Sequence, residues 1–158
     1  MGGYLIRPAV PADVDMMSAI ERVCFTVPWS RDSIEHSIRS KNSYCVSVIL
    51  DGVVVAYGIS HTASDEGEIL NLVVSPKHRR RGLGRAILSD MLKVCAARGA
   101  KNVYLEVRES NTGASALYEK AGFAVTGRRK NYYKYPTEDA VLMAKSLSGG
   151  DDNDNSCD

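Results

Sequence analysis

Apolar residues fall along this chain in two rhythms, one suited to strands and one to helices. Residues 4–7 read as a short strand stopped by Pro8, and Pro11-Ala12-Asp13 then opens a helix with Val14, Met17, Ile20 and Val23 at near-helical spacing. Pro28 breaks that segment, and Ser30 caps a second helix that carries Ile34 and Ile38 and ends before Asn42. Residues 44–50 and 53–60 are strands joined by Asp51-Gly52, a dipeptide suited to a primed hairpin turn. Residues 62–67 form a polar loop before a strand at 68–74. The clearest helix follows, where Leu83, Ile87, Leu88, Met91, Leu92 and Cys95 make one apolar stripe ended by Gly99.

Strict alternation returns at 102–108, with Val103, Leu105 and Val107 on one face and Tyr104, Glu106 and Arg108 on the other. A short helix at 111–121 closes on Gly122, and strand-like segments follow at 123–128 and 140–145. The order is strand, two helices, three strands, helix, strand, helix, two strands. That order implies a mixed α/β sheet. A fully parallel doubly wound sheet fits poorly, because the middle hairpin is antiparallel.

The 158 residues fit one domain, taken as residues 1–147. Residues 148–158 hold glycine and four aspartates but almost nothing to bury, and are expected to be a disordered acidic tail. A formal net charge of +1 gives no overall field directed at nucleic acid or an anionic membrane, so neither is expected as a direct partner. No apolar run approaches the roughly 20 residues of a membrane span, and the first ten residues lack a secretory pattern. Cys24, Cys45, Cys95 and Cys157 form no CxxC pair, and His36, His61 and His78 lie far apart. A cytoplasmic protein without a metal is the expectation; the oligomeric state is not legible.

Charge is nevertheless uneven. Lys77, His78, Arg79, Arg80, Arg81 and Arg85 crowd one turn that runs from a strand straight into the long helix. A helix amino terminus presents unpaired backbone N–H groups, and Gly82 and Gly84 allow an anion to come close. The spacing matches neither the Walker pattern GxxxxGKS/T nor the dinucleotide fingerprint GxGxxG. A solvated basic turn and a nucleic-acid patch are alternative readings; the strand–loop–helix setting favours a site for a phosphate-bearing cofactor.

At this loop the chain resembles a known family. Arg79-Arg80-Arg81-Gly82-Leu83-Gly84 is similar to motif A of the GNAT acyltransferases, Q/R-x-x-G-x-G/A. Leu105-Glu106-Val107-Arg108-Glu109-Ser110-Asn111 and Ala116-Leu117-Tyr118-Glu119-Lys120-Ala121-Gly122-Phe123 resemble the RimI branch, which holds ribosomal-protein alanine acetyltransferases and archaeal amino-terminal acetyltransferases. Cys24-Phe25, Pro28-Trp29-Ser30 and Arg129-Lys130-Asn131-Tyr132-Tyr133 resemble segments of the same branch, so the likeness spans residues 4–147.

The resemblance implies a GNAT acyl-CoA N-acyltransferase fold, with a mixed, mostly antiparallel sheet flanked by helices, and acetyl-CoA as cosubstrate. It implies that Leu72, Val73 and Val74 lie along the pantetheine arm, and that Arg79, Arg80, Arg81, Gly82, Leu83, Gly84 and Arg85 hold the pyrophosphate. Asn111 and Tyr118 take positions associated with the cofactor. Tyr118 matches the general acid and Glu106 the general base. Tyr132, Tyr133 and Tyr135, with Phe25 and Trp29, are candidates for the acceptor groove, and the resemblance places the first tyrosines on a loop over the peptide terminus.

Acetyl transfer from a thioester needs a neutral amine, a stabilised oxyanion and a protonated leaving thiolate. An α-amine, with a pKa of about 8 against about 10.4 for lysine, is neutral far more often at physiological pH. A carboxylate such as Glu106 accepts the amine proton, directly or through water, and a backbone N–H near Val74 serves the oxyanion if the strands splay there. Taken alone, Glu106 reads as a solvated strand face and Tyr118 as a packing residue; the resemblance gives them roles. Cys95 reads as core, and an acetyl-cysteine route is disfavoured because no cysteine has a nearby histidine. The expected function is direct transfer to the free α-amine of a protein, a ribosomal protein being one candidate. The alternatives are a lysine or small-molecule amine acetyltransferase, and a noncatalytic CoA-binding module.

Overall fold

A computed structural model describes residues 3–147; the acidic tail expected at 148–158 lies outside the described residues. Seven strands form one sheet, β1 (Leu5–Pro8), β2 (Ser43–Leu50), β3 (Val53–Ala63), β4 (Glu66–Val74), β5 (Asn102–Arg108), β6 (Ala124–Tyr133) and β7 (Glu138–Ser146). Their spatial order is β1-β2-β3-β4-β5-β7-β6. Every neighbouring pair is antiparallel except β4 and β5, which are parallel because α3 (Leu83–Ala97) carries the chain back between them.

Helices cover both faces. α1 (Val14–Cys24) and α2 (Arg31–Arg39) enclose one core of Val14, Met17, Ile34, Tyr57, Ile59 and Val73. α3 and α4 (Thr112–Lys120) enclose the other, where Leu83, Ile87, Leu88, Met91 and Cys95 meet Val46, Val103, Leu105 and Tyr118. The stripe read on the long helix is thus its buried face. α3 lies so close to the sheet that a Cβ on Gly58 of β3 would come within 2.5 Å of Ile87 and 2.8 Å of Met91. Ser30 caps α2 as expected, its side chain accepting from the Ser33 N–H, and Asp51 and Gly52 take φ of 50° and 79°, as a primed turn requires.

Three expectations are corrected. The polar loop at 62–67 is mostly strand: β3 runs to Ala63 and β4 begins at Glu66, leaving Ser64 at φ 55° in a tight turn. On α1 the buried face takes in Glu21, 1% exposed, and leaves out Val23, 72% exposed. Val14, Met17 and Ile20 are core as expected, and the carboxylate of Glu21 packs beside them. Finally, β6 does not stop at residue 128 but continues to Tyr133, so Tyr132 and Tyr133 stand at a strand end. Register shifts between Val125 and Gly127 and between Arg129 and Tyr133 break its alternation and hide it from a pattern search.

Candidate active site

Parallel pairing of β4 with β5 begins at Glu66–Asn102 and ends at Ile69–Leu105. Beyond that point β4 turns away, helped by a bulge in which Ile59 and Ser60 of β3 face Asn71 and Ile69, leaving Leu70 unpaired. The sheet forks, and Glu106 is the first residue of β5 past the fork. A cleft of about 700 Å³ fills the gap, bordered by Asn71 and Leu72 of β4, Glu106 and Arg108 of β5, and Asn111 and Tyr118 of α4.

The ladder decides which backbone groups face the gap. The Ser75 N–H donates to the Val55 carbonyl, whereas the Val74 carbonyl accepts from Arg79 Nε at 3.1 Å. Since groups alternate along a strand, Leu72 and Val74 turn their N–H and C=O toward the gap. Val73 turns its own toward Tyr57 of β3, and its side chain is buried. Leu72 and Val74 therefore fit an extended amide-bearing ligand laid along β4, and Val73 acts only by holding the strand.

After β4, Pro76–His78 makes one 3₁₀ turn and residues 79–82 lead into α3. Arg80 and Gly82 both take left-handed φ, 62° and 79°. For glycine this carries no Cβ penalty; for Arg80 it is strained. Ala86 N–H is bonded to the Gly82 carbonyl, and the first-turn N–H groups of Leu83, Gly84 and Arg85 lie ahead of that bond, free for an anion. The Leu83 side chain is core. The arginines divide. Arg79 folds back on β4, its Nη2 also 3.6 Å from Cys24 Sγ, and Arg81 donates to the Tyr4 hydroxyl at 2.7 Å beside His78. Arg80 and Arg85 make no ion pair or hydrogen bond among the described residues.

Tyr118 stands beneath the fork, 7% exposed, its ring edge-on to Phe123 at 5.8 Å. Burial, then Tyr133, pushes its pKa up to about 12, so the hydroxyl stays protonated. It borders the cleft and has no hydrogen-bond partner among the described residues. Asn111 caps α4, its Oδ1 accepting from the Ala114 N–H at 3.1 Å, which leaves only its amide nitrogen for the cleft.

Glu106 lies on the opposite, α1–α2 side of the sheet with its side chain 32% exposed. Tyr132 donates to it, and this bond holds the Tyr132 hydroxyl pKa above the usual range. Arg129 Nε is 3.6 Å from its Oε1. Phe25, Trp29, Tyr132 and Tyr133 all border the cleft with Glu106, so four of the five acceptor candidates are brought together, and Tyr135 is not among the lining residues. Tyr135 is 75% exposed at the turn. Its carbonyl accepts from Thr26 Oγ1 at 2.7 Å, a strap between the α1–α2 segment and the β6–β7 turn.

Two further groups shape the walls and were not read from the sequence. Arg108 donates to the Lys134 and Pro136 carbonyls at 2.9 and 3.2 Å, pairs with Glu138 at 3.1 Å and lies 4.5 Å over the Tyr133 ring. The Ser110 N–H and hydroxyl, then Arg108, hold the Glu138 carboxyl below its usual range. Behind the other wall, Glu21 accepts from the Trp29 N–H at 3.0 Å, from Asn71 Nδ2 at 2.9 Å and from the Tyr57 hydroxyl. A charged residue on the apolar stripe of α1 was the available signal for Glu21. Arg108 and Glu138, thirty residues apart, left none.

A forked mixed sheet with free helix N–H groups at the edge of the fork suits an acyl-transferring class. Residues 14–123 match the model of the Acetyltransferase (GNAT) family, and the chain belongs to that family. It is 34% identical over 146 residues to the ribosomal protein bS18-alanine N-acetyltransferase of Haemophilus ducreyi, covering 90% of this chain and 100% of the relative. With the enzyme of that name from Escherichia coli (strain K12) it shares 36% identity over 133 residues, 82% of this chain and 88% of the relative. The crystal structure of the ribosomal-protein-S18-alanine N-acetyltransferase from Escherichia coli superposes with a TM-score of 0.85 at 32% identity, covering 95% of this chain and 97% of that one. The mixed sheet expected from the order of elements is thus the GNAT fold.

Proposed function

We propose that this enzyme acetylates the free α-amine of a protein, using acetyl-CoA, by direct attack of the amine within a complex of both substrates. The observation that carries the reading is the register of β4 and β5: pairing ends at Ile69–Leu105, and the next residue is Glu106. The fork thus gives passage through the sheet. Tyr118 stands on its α3–α4 side and Glu106 on the other, so a donor and an acceptor reach one point from opposite faces.

Acetyl-CoA supplies the acetyl group as a thioester. Gly82 to Arg85 hold its pyrophosphate through first-turn N–H groups, aided by the loop arginines. The inward N–H and C=O groups of Leu72 and Val74 pair with its amide-bearing arm, and Asn111 contacts the same arm. Glu106 takes the proton from the incoming amine, directly or through water, and Tyr132 and Arg129 orient its carboxylate. Tyr118 keeps its proton to high pH and donates toward the departing sulfur. A thiol pKa of about 8.5 means that this step needs modest help.

An α-amine, with a pKa of about 8, is deprotonated at neutral pH more readily than a lysine amine at about 10.4. The strap from Thr26 to Tyr135 supports entry by a chain end, since it spans the mouth bordered by Phe25, Trp29, Tyr132 and Tyr133. The relatives from Haemophilus ducreyi and Escherichia coli are named for an alanine of ribosomal protein bS18. A ribosomal protein beginning with a small residue in the cytoplasm is accordingly the first acceptor to try. No helix among the described residues is long and apolar enough to cross a membrane.

The test is acetyl-CoA turnover against short peptides with free or blocked amino termini, with mass spectrometry locating the new acetyl group. Modification of free termini only is the expected result. Acetylation confined to lysine side chains, or equal rates on blocked peptides, refutes the reading.

A further inference from the structure

One hydroxyl outside the cleft holds the loop before α3 at two points. Tyr4, the residue just before β1, accepts from Arg81 Nη1 at 2.7 Å and lies 3.1 Å from His78 Nδ1. A guanidinium only donates, so the Tyr4 oxygen accepts there and its single proton goes to the bare histidine nitrogen. The two rings meet edge-on with centroids 6.0 Å apart. Tyr4 is half-buried and packs against the α3–α4 core, while the strand it leads into is the edge of the sheet farthest from β6. Neither Tyr4 nor His78 borders the cleft.

The residues between the two held points show what the contact does. Positions 78 and 81 bracket Arg80, whose φ of 62° is a conformation that a residue with a Cβ avoids. Such a conformation persists where its surroundings over-determine it. Arg79, bonded to the Val74 carbonyl, fixes the loop to β4, and the Tyr4 hydroxyl fixes it again just ahead of α3. Gly82 follows at φ 79°, and the free N–H groups of the first turn of α3 lie directly beyond it. How those groups are aimed therefore depends on how residues 78–81 are held. Arg81 makes no other hydrogen bond among the described residues, so the rest of its guanidinium stays open to an anion.

We infer that Tyr4 is a positioning residue for acetyl-CoA binding: its hydroxyl ties Arg81 and His78 together across the strained Arg80 and sets the loop in the shape that takes the pyrophosphate. The inference rests on the proposed role of Gly82–Arg85 in holding that group, but not on the identity of the acceptor. Calorimetric affinities for acetyl-CoA are measured for the wild type, Tyr4→Phe, Arg81→Ala and the double variant. Thermal unfolding is followed for each, and peptide turnover is followed for the wild type and Tyr4→Phe.

Phenylalanine keeps the ring packing, so Tm should stay within about 2 °C of wild type. Affinity for acetyl-CoA is expected to fall roughly tenfold in Tyr4→Phe, as for one hydrogen bond to a charged group. KM for acetyl-CoA should rise to match, with kcat near wild type. Arg81→Ala removes what the hydroxyl holds, so adding Tyr4→Phe to it should cost less than about threefold. Unchanged affinity in Tyr4→Phe overturns the inference. So does a tenfold loss that recurs in the Arg81→Ala background, which marks direct contact of Tyr4 with the ligand. A fall in kcat that saturating acetyl-CoA does not recover, or a loss of affinity matched by a larger fall in Tm, overturns it as well. A wild type that does not bind acetyl-CoA refutes the proposed role of the loop and the inference with it. A wild type that binds acetyl-CoA but acetylates no peptide terminus refutes the acceptor reading alone, and the affinities still decide the role of Tyr4.

Discussion

Glu21 offers the sharpest test of how the cleft is held. Its carboxylate is 1% exposed and accepts from three donors on three segments: Trp29 after α1, Tyr57 on β3 and Asn71 at the bulge of β4. Glu21→Leu leaves the apolar bulk but orphans those donors. Each unsatisfied buried donor costs about 1–3 kcal/mol. Removing the carboxylate also relieves its own desolvation, several kcal/mol for a buried ion. Tyr57 and Asn71 lie 3.4 Å apart and can pair with each other, so the net loss expected is about 3 kcal/mol. For a chain of this size that lowers Tm by about 6–12 °C. Glu21→Gln keeps the acceptor for Trp29 and should lose about half as much. Tyr57→Phe removes one donor, so Glu21→Leu combined with Tyr57→Phe should fall short of the sum of the single losses by about 1 kcal/mol or more. Chemical denaturation of the four proteins measures this. Because Trp29 and Asn71 border the cleft, KM for the peptide should rise in Glu21→Gln while KM for acetyl-CoA stays near wild type. A Leu variant within about 0.5 kcal/mol of wild type, with additive double-mutant losses, refutes the view of Glu21 as the hub of that wall.

Glu106→Gln should lower turnover about 100-fold or more without changing acetyl-CoA affinity; turnover near wild type from pH 6 to 10 removes it from the base role. Tyr118→Phe should lower kcat about tenfold, since the leaving thiol needs modest help. With the phenol held protonated to about 12, any alkaline loss of activity below pH 11 should persist in that variant, and its disappearance assigns the loss to Tyr118. Cys24 is the one thiol bordering the cleft among the described residues. Cys24→Ala should keep most turnover, and a complete loss with intact acetyl-CoA binding supports a covalent route instead of direct transfer. Asp13 is 2% exposed; burial pushes its carboxyl pKa up, but Arg7, the Val10 N–H and Ser47 outweigh this and leave it below the usual value. A depressed folded pKa adds stability that is complete above the unfolded value of about 4 and fades as pH falls through the folded one. Asp13→Asn should thus be less stable than wild type by about 2 kcal/mol at pH 7, with the gap shrinking below pH 4; a gap constant down to pH 2 contradicts it.

Features with a local chemical cause were legible in the sequence. The loop before α3 offers backbone N–H groups to an anion, an arrangement that needs glycines and tolerates arginines, and both leave a mark in composition. Alternation on β5 set Glu106 on the face opposite Leu105 and Val107, and the family resemblance singled it out. What physically sets Glu106 apart from Tyr104 and Arg108 was not legible: it is the place where β4 leaves β5, and that register joins residues 36 positions apart. Glu21 was missed because the reading of α1 followed apolar residues only, and a carboxylate buried beside Met17 and Ile20 does not add to an apolar stripe. The strand end carrying Tyr132 and Tyr133 was missed because Arg128 to Asn131 are exposed on an edge strand with bulges, where no face is buried to impose a rhythm.

The two faces of the sheet answer to different demands. On the α3–α4 side the core is apolar, and Tyr118 is the one phenol among its buried residues. Such a surface, beside the free backbone groups of β4 and of the first turn of α3, suits a long ligand with repeating amides and phosphates. On the α1–α2 side, Glu21, Glu106, Arg108, Arg129 and Glu138 pin aromatic side chains and strand ends around an opening. Charge there sets position, as the proposed arrival of a peptide amine beside Glu106 would require. The fork joins the two designs at one residue. A shift of pairing by two residues, keeping the same side chains on each face, would zip β4 to β5 past Glu106 and close the passage. The bulge at Leu70 opposes that shift, since the extra residue breaks the β4 backbone's run at the point where pairing would continue.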